Sequence, residues 1–163
     1  MKEKVYFLDF EDSYSYNIIA DIYKYSSLLP EVVALKDHKF FLQHLSLVKK
    51  SILILGPGPN RPKDYLFQFN AVKKILASPH NIKILGICLG HQLLMQIMGH
   101  RLKKSRNPLH GSSVQLPLNE YWKFFFATAL ETLDVQRYNS LAVVAQNGSK
   151  LTSHYLCLDK EIM

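Results

Sequence analysis

The chain has 163 residues, of which 48% are hydrophobic and 20% charged, a size and balance that suit one globular domain, and no apolar run is long enough to span a membrane. The formal net charge of +7 raises nucleic-acid binding as a question. The basic residues are scattered, however, and the densest run, residues 101–106, reads as a helix end and solvated loop, so no nucleic-acid partner is expected. The two cysteines, Cys88 and Cys157, have neither disulfide-framework nor metal-ligand spacing, and residues 1–4 carry no signal-peptide pattern; the expectation is a cytoplasmic protein without a metal site.

Taken in chain order, residues 5–9 read as a buried strand, and Asp12 or Ser13 can cap a helix over about 14–25 with Ile18, Ile19 and Ile22 on one face. Residues 31–35 form a second strand, and 37–49 show helical spacing at Phe41, Leu42, Leu45 and Val48. A third strand at 51–55 stops at Gly56-Pro57-Gly58-Pro59, and a third helix covers 65–77. A fourth strand at 82–87 runs into a helix at 89–98 closed by Gly99. This alternation predicts an α/β fold: a mostly parallel open sheet with helices on both faces. Past Gly99 the pattern changes to short strands near 114–117, 123–126, 135–138, 142–145 and 154–158, a smaller antiparallel or mixed part. No linker or repeat marks a boundary, so 1–163 reads as a single domain.

Cys88 carries the chemical signal. In Gly86-Ile87-Cys88-Leu89-Gly90 a strand ends, a cysteine follows, and a helix begins, which is the grammar of a nucleophile elbow. The glycines let strand and helix pass closely, and the helix start supplies N–H groups that favour thiolate and can hold an oxyanion. The Leu89 N–H is one such donor, and the Gly56–Pro59 loop, at the end of a neighbouring strand, can present the Gly58 N–H opposite it. His91 lies three residues after Cys88, but on the elbow helix it packs back along the sheet and reads as structural. His38, His44, His80 and His100 are expected to be solvated.

The run 86–92 closely resembles the nucleophile motif of class I glutamine amidotransferases, and four further motifs extend the resemblance along nearly the whole chain. Leu8-Asp9-Phe10-Glu11-Asp12-Ser13-Tyr14-Ser15-Tyr16-Asn17 looks like the opening motif of the glutaminase subunit of anthranilate synthase and aminodeoxychorismate (para-aminobenzoate) synthase. Gly56-Pro57-Gly58-Pro59-Asn60-Arg61-Pro62 resembles the oxyanion loop, His110-Gly111 a His-Gly pair of this branch, and Arg137-Tyr138-Asn139-Ser140-Leu141 its Arg-Tyr-His-Ser-Leu. The resemblance implies a flavodoxin-like fold, glutamine as substrate, no cofactor, and a chorismate-using synthase subunit that receives ammonia. It implies Cys88 as nucleophile, Gly58 and Leu89 as oxyanion donors, and Pro59, Asn60, Gln92, Ser140 and Leu141 around glutamine.

There are departures from the pattern. Asn60 stands where Gly or Cys is usual, and Asn139 where His is usual. Family members also continue into a last strand carrying His-Pro-Glu, whose His is the general base. The 163 residues contain no such string, and His154 falls in the preceding strand. The expectation is a truncated glutaminase subunit with low activity. Its alternatives are a degenerate docking subunit without catalysis, and a cysteine hydrolase sharing the elbow.

Overall fold

The computed structural model describes residues 4–45, 50–77 and 82–144. The chain divides into two compact units, Met1–Met98 and Gly99–Met163.

The first unit alternates strands and helices: β1 (Lys4–Leu8), α1 (Ser15–Ser26), β2 (Glu31–Val33), α2 (His38–His44), β3 (Ser51–Leu55), α3 (Leu66–Ala77), β4 (Ile82–Gly86) and α4 (Leu89–Ile97). The four strands form one parallel sheet in the order β2-β1-β3-β4. β1 illustrates why its sequence is apolar at every position after Lys4. Successive side chains of a strand point to opposite faces, and here both faces are covered. Val5 and Phe7, with Ile54 of β3, pack against Ile18, Ile19 and Ile22 of α1. Tyr6 and Leu8, with Leu53 and Leu55, face the opposite layer, where Leu42, Val72, Ile75, Leu89 and Leu93 close the larger core. Among the described strands β4 lies at the edge of this sheet: Ile82 and Ile84 pack on that core, whereas Lys83 and Leu85 are exposed.

The expected boundaries hold within a few residues, with informative exceptions. α1 starts one residue late because neither Asp12 nor Ser13 is its N-cap. That position is Tyr14, without a side-chain cap, while Asp12 Oδ1 accepts the Tyr14 N–H at 2.8 Å in an Asx-type turn. The second strand ends at Val33, and a 3₁₀ turn at Leu35–Asp37 leads into α2. α3 is entered through another 3₁₀ turn, Pro62–Tyr65, closed by two local bonds: the Arg61 N–H donates to Asp64 Oδ2 (3.1 Å) and the Asp64 N–H to the Arg61 carbonyl (2.9 Å).

The second unit is built on a long antiparallel ribbon of β5 (Arg101–Pro117) and β6 (Thr132–Val144), with α5 (Glu120–Phe125) between them. Here the sequence reading is corrected twice. Residues 101–106, read as helix end and loop, begin β5. Residues 123–126, read as a strand, belong largely to α5, which Asn119 caps by accepting the Trp122 N–H at 3.0 Å. The ribbon register breaks in two places. Gly111, at φ +77°, forms a bulge that a residue with a Cβ would strain, and residues 105–108 stand opposite Ser140 alone. The strand expected at 154–158 lies outside the described residues.

Candidate active site

The carboxyl ends of β1, β3 and β4 meet at the point where the strand order reverses, the usual ligand position in such sheets. Backbone bonds hold the three ends in register. The Gly56 N–H donates to the Leu8 carbonyl (3.0 Å), the Ile87 N–H to Leu55 (2.9 Å), and the Gly90 N–H to Gly56 (3.2 Å). The loop after β1 is pinned by Asp9, whose Oδ1 accepts from Ser15 Oγ at 2.6 Å and from the Glu11 N–H at 3.0 Å.

Cys88 occupies the turn between β4 and α4 with φ +53° and ψ −109°. A non-glycine residue in this region costs about 1–3 kcal/mol, strain typical of a nucleophile elbow. The flanking glycines are sterically required. A Cβ on Gly86 would lie 2.6 Å from the Gly90 carbonyl carbon, and one on Gly90 would collide with the Leu55 carbonyl oxygen. The elbow can therefore pass over β3 only with glycine on both sides of the cysteine.

The cysteine is exposed, and the backbone N–H groups of Leu89 and Gly58 lie near enough to its thiol to favour the thiolate. Gly58 is held there by close packing: a Cβ would lie 2.5 Å from Phe10 Cβ and 2.7 Å from Leu89 Cδ2. Asn60, next in this loop but one, has φ +69°. Asparagine is one of the few residues that adopts this left-handed conformation readily, so it can stand where glycine is usual.

The electrostatics differ from the sequence expectation. Desolvation by the packed surroundings of the elbow pushes the Cys88 thiol up, the Leu89 N–H pulls it down, the charge of Asp12 pushes it up, and the Gly58 N–H pulls it down. The net shift is upward. The two donors do favour thiolate, as expected of a helix start, but desolvation and Asp12 outweigh them in the free protein.

Of the other residues singled out in the sequence, Pro59 and Asn60 are exposed in the loop beside Gly58, and Gln92 lies in the first turn of α4. The Gln92 N–H donates to the Cys88 carbonyl at 3.0 Å. Ser140 and Leu141 belong to the β5–β6 ribbon. His110 Nε2 and Ser140 Oγ are 2.8 Å apart, and the Leu141 carbonyl accepts from Asn139 Nδ2 at 3.3 Å. Asn139 Oδ1 in turn accepts from Arg137 Nε at 3.1 Å, so the residue standing in place of histidine joins a local network.

His91 is half-buried on α4, and burial lowers its pKa. His38 and His100, expected to be solvated, are buried. His38 can be buried because its ring is satisfied: Nε2 donates to the Val33 carbonyl (3.1 Å) and Nδ1 accepts from Gln68 Nε2 (3.3 Å). His80, His154 and Cys157 lie outside the described residues. Sequence reasoning did not pick out Asp12 as a charge acting on Cys88, or Tyr65 behind the loop. No spacing rule marks either, because both act through loops that only the sheet brings together. Among the described residues, no group of three or more His, Cys, Asp or Glu side chains could hold a metal ion, and no helix is long and apolar enough to cross a membrane.

The family model for class-I glutamine amidotransferases matches residues 6–163. This chain belongs to that family. Among glutamine amidotransferases it is similar to the pyocyanine-specific anthranilate synthase component 2 of Pseudomonas aeruginosa, with 32% identity over 98% of this chain and 76% of that protein. It is also similar to anthranilate synthase component 2 of Helicobacter pylori, with 31% identity over 85% of this chain and 69% of that protein. The fold matches the crystal structure of a glutamine amidotransferase from Thermotoga maritima with a TM-score of 0.63 at 16% identity, covering 88% of this chain and 63% of the other. The chain is thus an amidotransferase of the anthranilate synthase type, with a flavodoxin-like parallel sheet and a smaller antiparallel sheet in its second half.

Proposed function

We propose that this protein is the glutaminase subunit of a chorismate-using synthase, hydrolysing glutamine through a thioester on Cys88 and passing the ammonia to a separate synthase subunit. The observation that carries the reading is an exposed thiol on a positive-φ elbow, with the Gly58 loop packed closely against Leu89, the residue that follows the thiol. In the first step the sulfur adds to the side-chain amide carbon of glutamine, and the carbonyl oxygen takes the negative charge against the two N–H donors. The C–N bond then breaks, the nitrogen leaves as ammonia after taking a proton, and a glutamyl thioester remains. Water adds to the thioester and releases glutamate and the thiol.

The family resemblance implies that Gln92 and the backbone of Ser140 and Leu141 would grip the amino-acid end of glutamine, and that Pro59 and Asn60 would complete the loop beside it. In the family that this chain resembles, the general base is the histidine of a His-Pro-Glu segment, a string that residues 1–163 do not contain. The family match across 6–163 supports reading both compact units as one amidotransferase domain. The names of the relatives support a synthase partner. Which of anthranilate and para-aminobenzoate results is set by that partner. A reducing cytoplasm suits a nucleophile that must stay a free thiol.

The test is ammonia release from glutamine in the presence of the synthase subunit. Cys88→Ala is expected to abolish it, and ammonia release unchanged by that substitution would overturn the reading. The aromatic product formed from chorismate identifies the branch.

A further inference from the structure

Gly58 packs closely against Leu89, the residue after Cys88, from a loop, Gly56 to Asn60, whose tip residues Pro59 and Asn60 are exposed. Behind it lies Tyr65, the last residue of the 3₁₀ turn before α3, which is 8% exposed. Its hydroxyl donates to the Pro59 carbonyl at 3.1 Å. Its ring meets Phe10 edge-on, with centroids 5.0 Å apart and planes at 84°. Phe10 is fully buried, is flanked by the buried His38 ring at 5.0 Å and 78°, and presents its Cβ to Gly58. Tyr65 therefore reaches the loop by two routes: directly through the carbonyl one residue after Gly58, and through Phe10 to Gly58 itself. Because Gly58 already packs against both Phe10 and Leu89 closely enough to exclude a Cβ, a small loop shift changes where its N–H points.

We propose that Tyr65 is a positioning residue for the oxyanion hole, its hydroxyl on Pro59 and its ring on Phe10 fixing the Gly58 N–H toward the substrate oxygen at Cys88. The inference rests on the glutaminase reading above and deepens it. Tyr65 does not touch the reacting atoms. Removing its hydroxyl leaves the ring packing in place and frees the Pro59 carbonyl, so the loop can settle with the N–H misdirected. Misplacing such a donor loses part of the ~10²–10³-fold that a whole donor contributes, on the order of 10–100-fold here.

The experiment compares two reagents on the full chain and on Tyr65→Phe. One is a glutamine-like chloroketone, whose reaction passes through an oxyanion on the former ketone oxygen. The other is iodoacetamide, which alkylates the same sulfur by displacement and needs no oxyanion hole. In Tyr65→Phe the limiting rate of chloroketone inactivation is expected to fall by ~10–100-fold. The half-saturating concentration and the iodoacetamide rate should stay unchanged, and the melting curve should remain cooperative. Replacing Tyr65 with 4-aminophenylalanine, which restores an N–H donor, should recover most of the rate and guards against a merely unstable variant. Equal slowing of both reagents, or no slowing of either, overturns the proposal. If the unsubstituted protein shows no saturable reaction with the chloroketone, the glutaminase reading itself fails, and that outcome is separate from any behaviour of Tyr65.

Discussion

Replacing Gly58 with alanine adds a single methyl group at the point where loop and elbow touch. That methyl would lie 2.5 Å from Phe10 Cβ, 2.7 Å from Leu89 Cδ2 and 3.3 Å from the Phe10 carbonyl oxygen. Phe10 is 0% exposed and Leu89 1% exposed, so neither can swing away into solvent. The loop must move instead, and the Gly58 N–H moves with it. Overpacking of this kind costs about 1–3 kcal/mol of stability. Removal of one oxyanion donor costs ~10²–10³-fold in rate, equivalent to about 2.7–4 kcal/mol of transition-state stabilisation. The assay is single-turnover ammonia release from glutamine, run beside a denaturation curve. Gly58→Ala is expected to remain folded with a modestly lower midpoint and to lose about two orders of magnitude in ammonia release. A variant that keeps its rate while losing stability would refute the placement of this N–H at the developing charge.

The other predictions follow from packing and charge. Asp12→Asn removes the anion that pushes the Cys88 thiol up, so its iodoacetamide alkylation should reach half-maximal rate at lower pH than in the parent protein. Gly90→Ala drives a methyl into the Leu55 carbonyl, a backbone atom within the sheet, and should lower the denaturation midpoint more than Gly58→Ala. Burial lowers the pKa of His38 and His91, so below the ordinary histidine pKa of about 6.5 the unfolded chain binds more protons than the folded one. Stability should thus be full above that pH and decline as pH falls toward the depressed folded values, at up to about 1.36 kcal/mol per pH unit for each histidine, and His91→Gln should flatten the decline.

The first half of the molecule was legible because its central strands are buried on both faces and its turns are punctuated by glycine and proline. The runs 5–9 and 51–55 could be little else than interior strands, and Gly86 and Gly90 announced a close crossing that the Leu55 carbonyl now explains. The second half was harder. A two-stranded ribbon with a one-residue bulge at Gly111 and a longer break opposite Ser140 interrupts the alternation that identifies strands, so β5 and β6 read as fragments. The aromatic run near 121–126 has strand-like composition, but the Asn119 cap and the Glu120–Lys123 pair at 3.2 Å favour a helical turn. At the site, Cys88, Gly58 and Leu89 were readable because motif and backbone geometry coincide. The state of the thiol was not, because it depends on desolvation and on Asp12, which lies 76 positions earlier in numbering (88 − 12) and reaches the sulfur only through the folded sheet.

The most direct test of the central claim is to quench the protein with acid during reaction with glutamine and to map the product by mass spectrometry. A glutamyl adduct on the Cys88 peptide, labile to hydroxylamine and accompanied by stoichiometric ammonia, is the predicted result. Ammonia released without any adduct on Cys88, or released equally by Cys88→Ala, would contradict it.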